Sequence, residues 1–197
     1  MAQPTRGRLA EAGLTLLELL FVISIVLVLL ATAVPALLIG LDDFRTRAAA
    51  RYLSGQCYRT RAESLEQNVR IALRFQARGP DYAVGRFRDG NGNGVRTAEI
   101  ALGIDPRLSA DVTLAALFGG HVRFAIAPGV PLIDGGFAAD PIRLSSGGLL
   151  TFAPNGTASS GSVYIRGARE AQYAVRVFGI TGRTRVFKYM RGTWKPL

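Results

Sequence analysis

The spacing of apolar and polar positions changes twice along the chain, and the changes divide it. Residues 1–13, MAQPTRGRLAEAG, are short and polar, with Arg6 and Arg8. From Leu14 to Leu41 the only strongly polar residue is Glu18. The 28 residues between Gly13 and Asp42, rising 1.5 Å each as helix, are enough to cross a bilayer core of about 30 Å. Apolar positions then recur every three or four residues, at Leu41, Phe44, Ala48, Tyr52, Gly55, Tyr58, Ala62 and Leu65. Asp42, Arg45, Arg47, Arg51, Arg59, Arg61 and Glu63 fill the other faces. That pattern predicts an amphipathic helix with one buried stripe. One helix from about Leu14 to Gln67, roughly 80 Å long, is predicted. It should kink at Pro35, where a helix hydrogen bond is lost, and be weak at Gly55.

Beyond Asn68 the period falls to two. In VRIALRF, Val69, Ile71, Leu73 and Phe75 share one face, with Arg70 and Arg74 on the other. DYAVGRFRD, EIALGI and HVRFAI are further strand candidates. LLTFAPNGTASSGSVYIR carries two strand signals around Asn155-Gly156, a hairpin dipeptide. YAVRVFGITGRTRVFKYM predicts a second hairpin turning near Thr181-Gly182. The Gly- and Pro-rich stretch Ala127–Asp140 reads as a loop. The expected fold is α+β: a long helix in two segments, 14–41 and 42–67, then six to eight antiparallel strands over 68–197.

Orientation and processing follow from the flanks. Arg6 and Arg8 on one side, with Asp42 and Asp43 on the other, place the N-terminus in the cytoplasm and the remainder across the membrane. Ala31–Ala33, ATA, has the small-x-small form that ends a secretory signal peptide. On that reading everything before Val34 is discarded. Against it stand the length of the apolar run and the carboxylate inside it. The other reading puts the cut before Leu14 and keeps the helix.

GLTLLE at Gly13–Glu18 resembles the cleavage and methylation motif of type IV prepilins and type II secretion pseudopilins. Gly13 stands before the cut, Leu14 is the apolar new N-terminal residue, and Glu18 lies four residues beyond it. Pro35 falls where many pilins carry a proline. Leu14 replaces the more usual Met or aromatic residue, and Glu11 and Ala12 precede the glycine where Arg or Lys is common. The helix, NVRIALRF, the strand running into DGNGNG, and the two C-terminal segments resemble the GspH/FimT class of minor pseudopilins and minor pilins. The resemblance implies a pilin-like α+β fold, its long N-terminal helix transmembrane in the first half and packed on an antiparallel β domain. It implies a leader over 1–13, removed between Gly13 and Leu14 by the prepilin peptidase, which also methylates Leu14. The expected place is the inner membrane, with a periplasmic C-terminal domain that joins a filament. The expected partners are other pilin or pseudopilin subunits, met through the N-terminal helix.

An ionisable group inside a membrane span is functional by default. Cutting after Gly13 frees an amine on Leu14, and Glu18 of one subunit can meet that amine on a neighbour. Such a pair attracts strongly at low dielectric and discriminates register. The alternative is that Glu18 lies close enough to the cytoplasmic face to stay wet.

Composition removes most chemistry. Cys57 is the only cysteine, so no internal disulfide or multi-cysteine metal site is available; His121 is the only histidine, and the sequence holds no G-x-S-x-G motif. Cys57 is expected to pack along the helix, an intermolecular disulfide being the alternative. DGNGNG offers Asp89, Asn91 and Asn93 at calcium-loop spacing, but Ile100 stands where the bidentate Glu is needed. A Gly/Asn turn is expected there, with neither metal nor cofactor, and the chain is not read as an enzyme. The net charge is +10, with 22 of the 24 basic residues Arg, which suits a polyanion or anionic membrane or reflects an arginine-rich bias.

From Gly161 to Leu197 there are eight basic residues against the single acid Glu170. Gly182, Arg183 and Arg185 resemble the Gly-Arg-x-Arg associated with DNA binding in FimT-like minor pilins; Lys188 and Arg191 follow among Phe187, Tyr189 and Trp194. Arginine pairs with phosphate and aromatic faces stack on bases, so DNA is a candidate partner. Contacts to a neighbouring subunit or a solvated strand explain the same charges. The leading expectation is a GspH-like subunit of a type II secretion pseudopilus tip, for protein secretion. The second is a FimT-like pilin that binds DNA for uptake.

Overall fold

The computed structural model describes residues 15–145 and 147–197. Gly13 and Leu14 therefore lie outside the described residues. The chain is one long N-terminal helix followed by antiparallel sheets, and it divides into two units between Leu38 and Ile39.

Helix α1, Leu16–Gln67, is 52 residues long and runs through Pro35. It ends at Asn68, which adopts φ +52°, and Val69 N donates back to Ser64 O at 3.2 Å. This is the six-to-one closure of a Schellman cap, with Asn in the left-handed position.

In the first unit the helix shows its apolar side chains on every face. Leu16 is 83 % exposed and Leu38 40 %. The window of highest hydropathy averages 2.9, and the helix is long and apolar enough to cross a membrane.

The second unit holds ten strands among the described residues. Strands β1 (Ile71–Arg78) and β2 (Asp81–Arg88) form a hairpin. With β3 (Val112–Thr113) and β6 (Leu149–Phe152) they make a sheet in the order β3-β2-β1-β6. The other sheet has the order β10-β9-β8-β7-β4, from β4 (Val122–Phe124), β7 (Gly161–Gly167), β8 (Gln172–Phe178), β9 (Arg183–Met190) and β10 (Thr193–Pro196). Strand β5 (Ile142–Leu144) continues the β4 edge, pairing with the first residues of β7. The helix half from Asp42 to Ser64 packs with both sheets around Leu53, Cys57, Leu73, Phe75, Phe124, Leu150, Phe152, Val163, Ile165 and Tyr173.

The buried stripe of α1 is not the one expected. Leu41, Phe44, Tyr52, Gly55, Tyr58, Ala62 and Leu65 are exposed and Ala48 is half-buried. The buried positions are Asp42, Thr46, Ala49, Ala50, Leu53, Ser54, Cys57, Thr60 and Ser64. This stripe keeps the helical spacing but is mostly small or polar. It stays satisfied because Thr46 and Thr60 each donate at 2.7 Å to a carbonyl one turn back, at Asp42 and Gln56. Ser64 Oγ reaches both Val69 O and Phe152 O. Small residues let the helix approach the sheets closely; the two threonine hydroxyls are satisfied within the helix, and Ser64 finds its acceptors outside it.

Two further expectations fail. EIALGI is not a strand: Thr97–Ala101 forms the short helix α2. The free edge of β2 is already taken by Val112–Thr113 and by Arg107 opposite Phe87, leaving this segment no strand to join. The strands around Asn155-Gly156 do not pair as a hairpin. The turn does reverse the chain, with Phe152 opposite Ala158, but β6 joins β1 whereas β7 crosses to the other sheet and joins β8. The second hairpin, β8–β9, forms as expected with Phe178 opposite Arg183, and Ala127–Asp140 is a loop.

Candidate functional site

Two regions carry the candidate residues: the start of α1, and the outer face of the second sheet.

Glu18 lies in the first turn of α1, where its backbone N–H is held by Thr15 Oγ1 at 3.2 Å. The other polar side chains of the apolar half are satisfied within the helix. Ser24 donates to Leu20 O at 2.8 Å and Thr32 to Leu29 O at 3.0 Å. In lipid this matters, because an unsatisfied polar group there has no water to turn to. The Glu18 carboxylate has no partner among the described residues. It is therefore the one side chain of this half whose charge is not answered within the described chain.

At the start of the packed half, Asp42 and Asp43 fasten the helix to the sheet. Asp42 is buried, and its carboxylate accepts from the backbone N–H of Ala168 at 2.8 Å and of Arg169 and Ala171 at 3.2 Å. These are the residues that turn the chain from β7 into β8. Gly167 is needed at this seam, because a Cβ there would sit 2.5 Å from both Asp42 Oδ1 and Thr46 Oγ1. Asp43 accepts from Tyr173 Oη at 2.9 Å and pairs with Lys188 Nζ at 2.6 Å. Burial and the bond to Asp43 push the Tyr173 hydroxyl well above the usual tyrosine range. Cys57 lies in the same seam, wholly buried. Desolvation pushes its thiol up to about 12, only partly offset by Thr184. A neutral, sealed thiol is a packing residue, and a disulfide to another chain would require opening the seam.

Lys188 is thus separated from the other basic candidates. On β9 it points toward the helix, whereas Arg183 and Arg185, of opposite parity, lie exposed on the far face. Arg191 sits in the β9–β10 turn at φ +50°. Gly182 has a structural reason to be glycine: it adopts φ +59°, and a Cβ would come within 2.4 Å of Gly156 O and 2.8 Å of Arg61 Nε.

The sheet register supplies residues that the C-terminal motif does not contain. Arg143 on β5 stands opposite Ser162 on β7, Ser162 opposite Arg176 on β8, and Arg176 opposite Arg185 on β9. Three arginines therefore form one row across four strands, with Arg183 next along β9. They line a groove of about 760 Å³ with Phe178 and Ile180 on its wall. Arg176 lies over the Phe178 ring, 5.5 Å from its centroid. One acid answers the row: Asp134, on the 127–140 loop, is ion-paired with Arg176. That loop is tied to the outer face, since Trp194 Nε1 donates to Pro131 O at 2.8 Å and Ile133 N to Tyr164 Oη at 2.9 Å. Sequence reasoning missed Arg143 and Arg176, because nothing local in PIRL or YAVRVF signals which strands will align them.

DGNGNG folds as a turn held from inside. Asp89 accepts from the backbone N–H of Asn91, Gly92 and Gly94, the last two at 2.7 Å. Asn91 and Asn93 turn their amide groups to Glu99, the latter at 2.8 Å. The Asp89 carboxylate and Asn91 Oδ1 are engaged with backbone donors, and among the described residues no group of three or more acidic, His or Cys side chains is placed to hold a metal.

The architecture, a long apolar N-terminal helix followed by antiparallel sheets that its second half packs on, is consistent with a pilin-like layout. No protein-family model, curated protein or solved structure matches the chain.

Proposed function

We propose that the chain is a non-enzymatic, filament-forming subunit: a minor pseudopilin of the GspH/FimT class, serving the tip or initiation complex of a type II secretion pseudopilus. On this reading it enters the inner membrane with its N-terminus cytoplasmic and its β domain periplasmic. The prepilin peptidase cuts between Gly13 and Leu14 and methylates Leu14. The observation that carries the proposal is the apolar helix half whose polar side chains are satisfied internally, with the single exception of Glu18 among the described residues. A charge left over in such a helix needs a partner from another chain, and a new terminal amine four residues before it on a neighbour is that partner.

Glu18→Ala should insert and fold normally but enter filaments at least tenfold less well, read by pull-down of tagged subunits or immunogold labelling of filaments. Equal incorporation of wild type and variant rejects the pairing. Intact mass of the membrane-extracted protein tests processing: a mature N-terminus at Val34 in place of Leu14 rejects the pilin-type reading.

The arginine row favours a second reading, in which a FimT-like subunit captures DNA. Four exposed or half-exposed guanidiniums along one groove, beside Phe178, suit a phosphate backbone with stacked bases. Replacing Arg143 and Arg185 together by Gln should then weaken DNA binding in a mobility-shift titration and flatten its salt dependence by about two phosphate contacts. Unchanged affinity and slope reject it.

A further inference from the structure

Between α1 and the first sheet lies a cavity of about 290 Å³ that none of the roles above uses. Its body is apolar, with Leu53, Leu73, Leu114 and Phe124 all buried around it. At one side it meets two cations, Arg59 and Arg86. Arg86 projects from β2 toward the helix, its side chain only 6 % exposed, and is ion-paired through Nη2 with Glu63. Its Nε is buried and has no acceptor. Glu63 is ion-paired with Arg86, and Arg59 has no ion pair among the described residues, so this side of the cavity carries one uncompensated positive charge.

A buried guanidinium N–H without an acceptor costs free energy comparable to a lost charge-assisted hydrogen bond. The polar side chains in the lining do not supply that acceptor: Ser109 Oγ accepts from the backbone N–H of Arg86 instead, and Gln56 makes no bond to the Nε. We infer that this cavity is a binding site for a small amphipathic monoanion, a carboxylate with an unbranched hydrocarbon tail. The carboxylate answers the single uncompensated charge, accepting from Arg86 and Arg59, while the tail fills the apolar body. Apolar walls with a few convergent polar groups are the general form of a small-ligand site, and this volume lies at the small end of that range. At about 30 Å³ per water-sized group it holds roughly ten non-hydrogen atoms, the size of an eight-carbon carboxylate.

Sodium octanoate is the probe. It is titrated calorimetrically into the full chain in lipid nanodiscs, with empty nanodiscs as the blank. Octan-1-ol supplies the tail without the charge, and acetate the charge without the tail. The expected result is saturable one-to-one binding of octanoate, with acetate and octanol each at least tenfold weaker. Arg86→Met risks the Glu63 pair and hence the fold, so two milder variants carry the test. Arg59→Gln, at the more exposed guanidinium, should weaken octanoate about tenfold, the size expected for a charge-assisted contact. Leu117→Trp, filling the cavity from its half-open rim, should abolish binding without changing charge. The inference is overturned if octanol binds as well as octanoate, if the blank accounts for the heat, or if Leu117→Trp binds octanoate like the wild type.

Discussion

The two halves of α1 obey opposite rules. From Leu16 to Leu38 the helix turns large apolar side chains outward on all sides and keeps its few hydroxyls bonded to itself. From Asp42 to Ser64 it turns Asp, Thr, Ser, Ala, Cys and one Leu inward and leaves Phe44, Tyr52 and Tyr58 exposed. The first half suits a surrounding with no hydrogen bonds to offer. The second is built for close approach to sheets that do offer them, at the β7–β8 turn, at Phe152 O and at Tyr173. Hydrophobicity therefore locates the first half correctly and misplaces the second by about half a turn of the helix, roughly 180°, so that the expected stripe is the exposed face.

The contrast can be broken at its strongest point. Asp42→Ala leaves three backbone N–H groups without an acceptor at the helix–sheet seam. At about 1–3 kcal/mol for each buried group, it should cost about 4 kcal/mol, seen as a lowered denaturation midpoint of the full chain in detergent. A loss under 1 kcal/mol would mean that the seam does not depend on Asp42. Leu53→Ala, in the centre of the small-residue stripe, should cost about 3 kcal/mol by transfer and cavity terms together.

The buried thiol sharpens the same comparison through pH. Cys57 titrates higher folded than unfolded, about 12 against an ordinary value of 9.0. Its neutral form is favoured by folding, so its contribution is complete below pH 9 and is lost as pH rises from there through 12. Tyr173 is shifted in the same direction and adds to the loss above its own ordinary value of 10.0. Thermal melts from pH 8 to 11 should show stability falling with pH, and Cys57→Ala should flatten the slope while costing about 1 kcal/mol at neutral pH. An unchanged slope would place the thiol in contact with solvent.

The smallest expected effect discriminates most directly between the two stripes. Phe44 is 69 % exposed, and Phe44→Ala should change the stability of the β domain by under about 0.5 kcal/mol. Were Phe44 part of the buried stripe, the same change would cost about 3–5 kcal/mol. Leu65→Ala should likewise be nearly silent.

How much could be read from residues alone varied with the range of the interactions. The apolar helix, the strands β1 and β2, the β8–β9 hairpin and the 127–140 loop rest on near neighbours and were legible. The fates of EIALGI and of the Asn155-Gly156 turn were not, because both depend on which sheet edge is already occupied. The candidate site divides the same way. Glu18 stands out in any reading of the apolar run, whereas the partnership of Arg143 with Arg176 and Arg185 exists only through pairing of β5, β7, β8 and β9.

By itself the sequence determined a long apolar helix, an antiparallel α+β domain and a charge in the apolar run, since period and length are properties of consecutive residues. Only the tertiary structure decided which face of the helix is buried, which side of β9 each basic residue occupies, and which arginines share a groove. Those outcomes are set by strand register and by hydrogen bonds spanning more than a hundred residues, such as Asp42 to the β7–β8 turn. A local pattern holds no record of a partner so far along the chain.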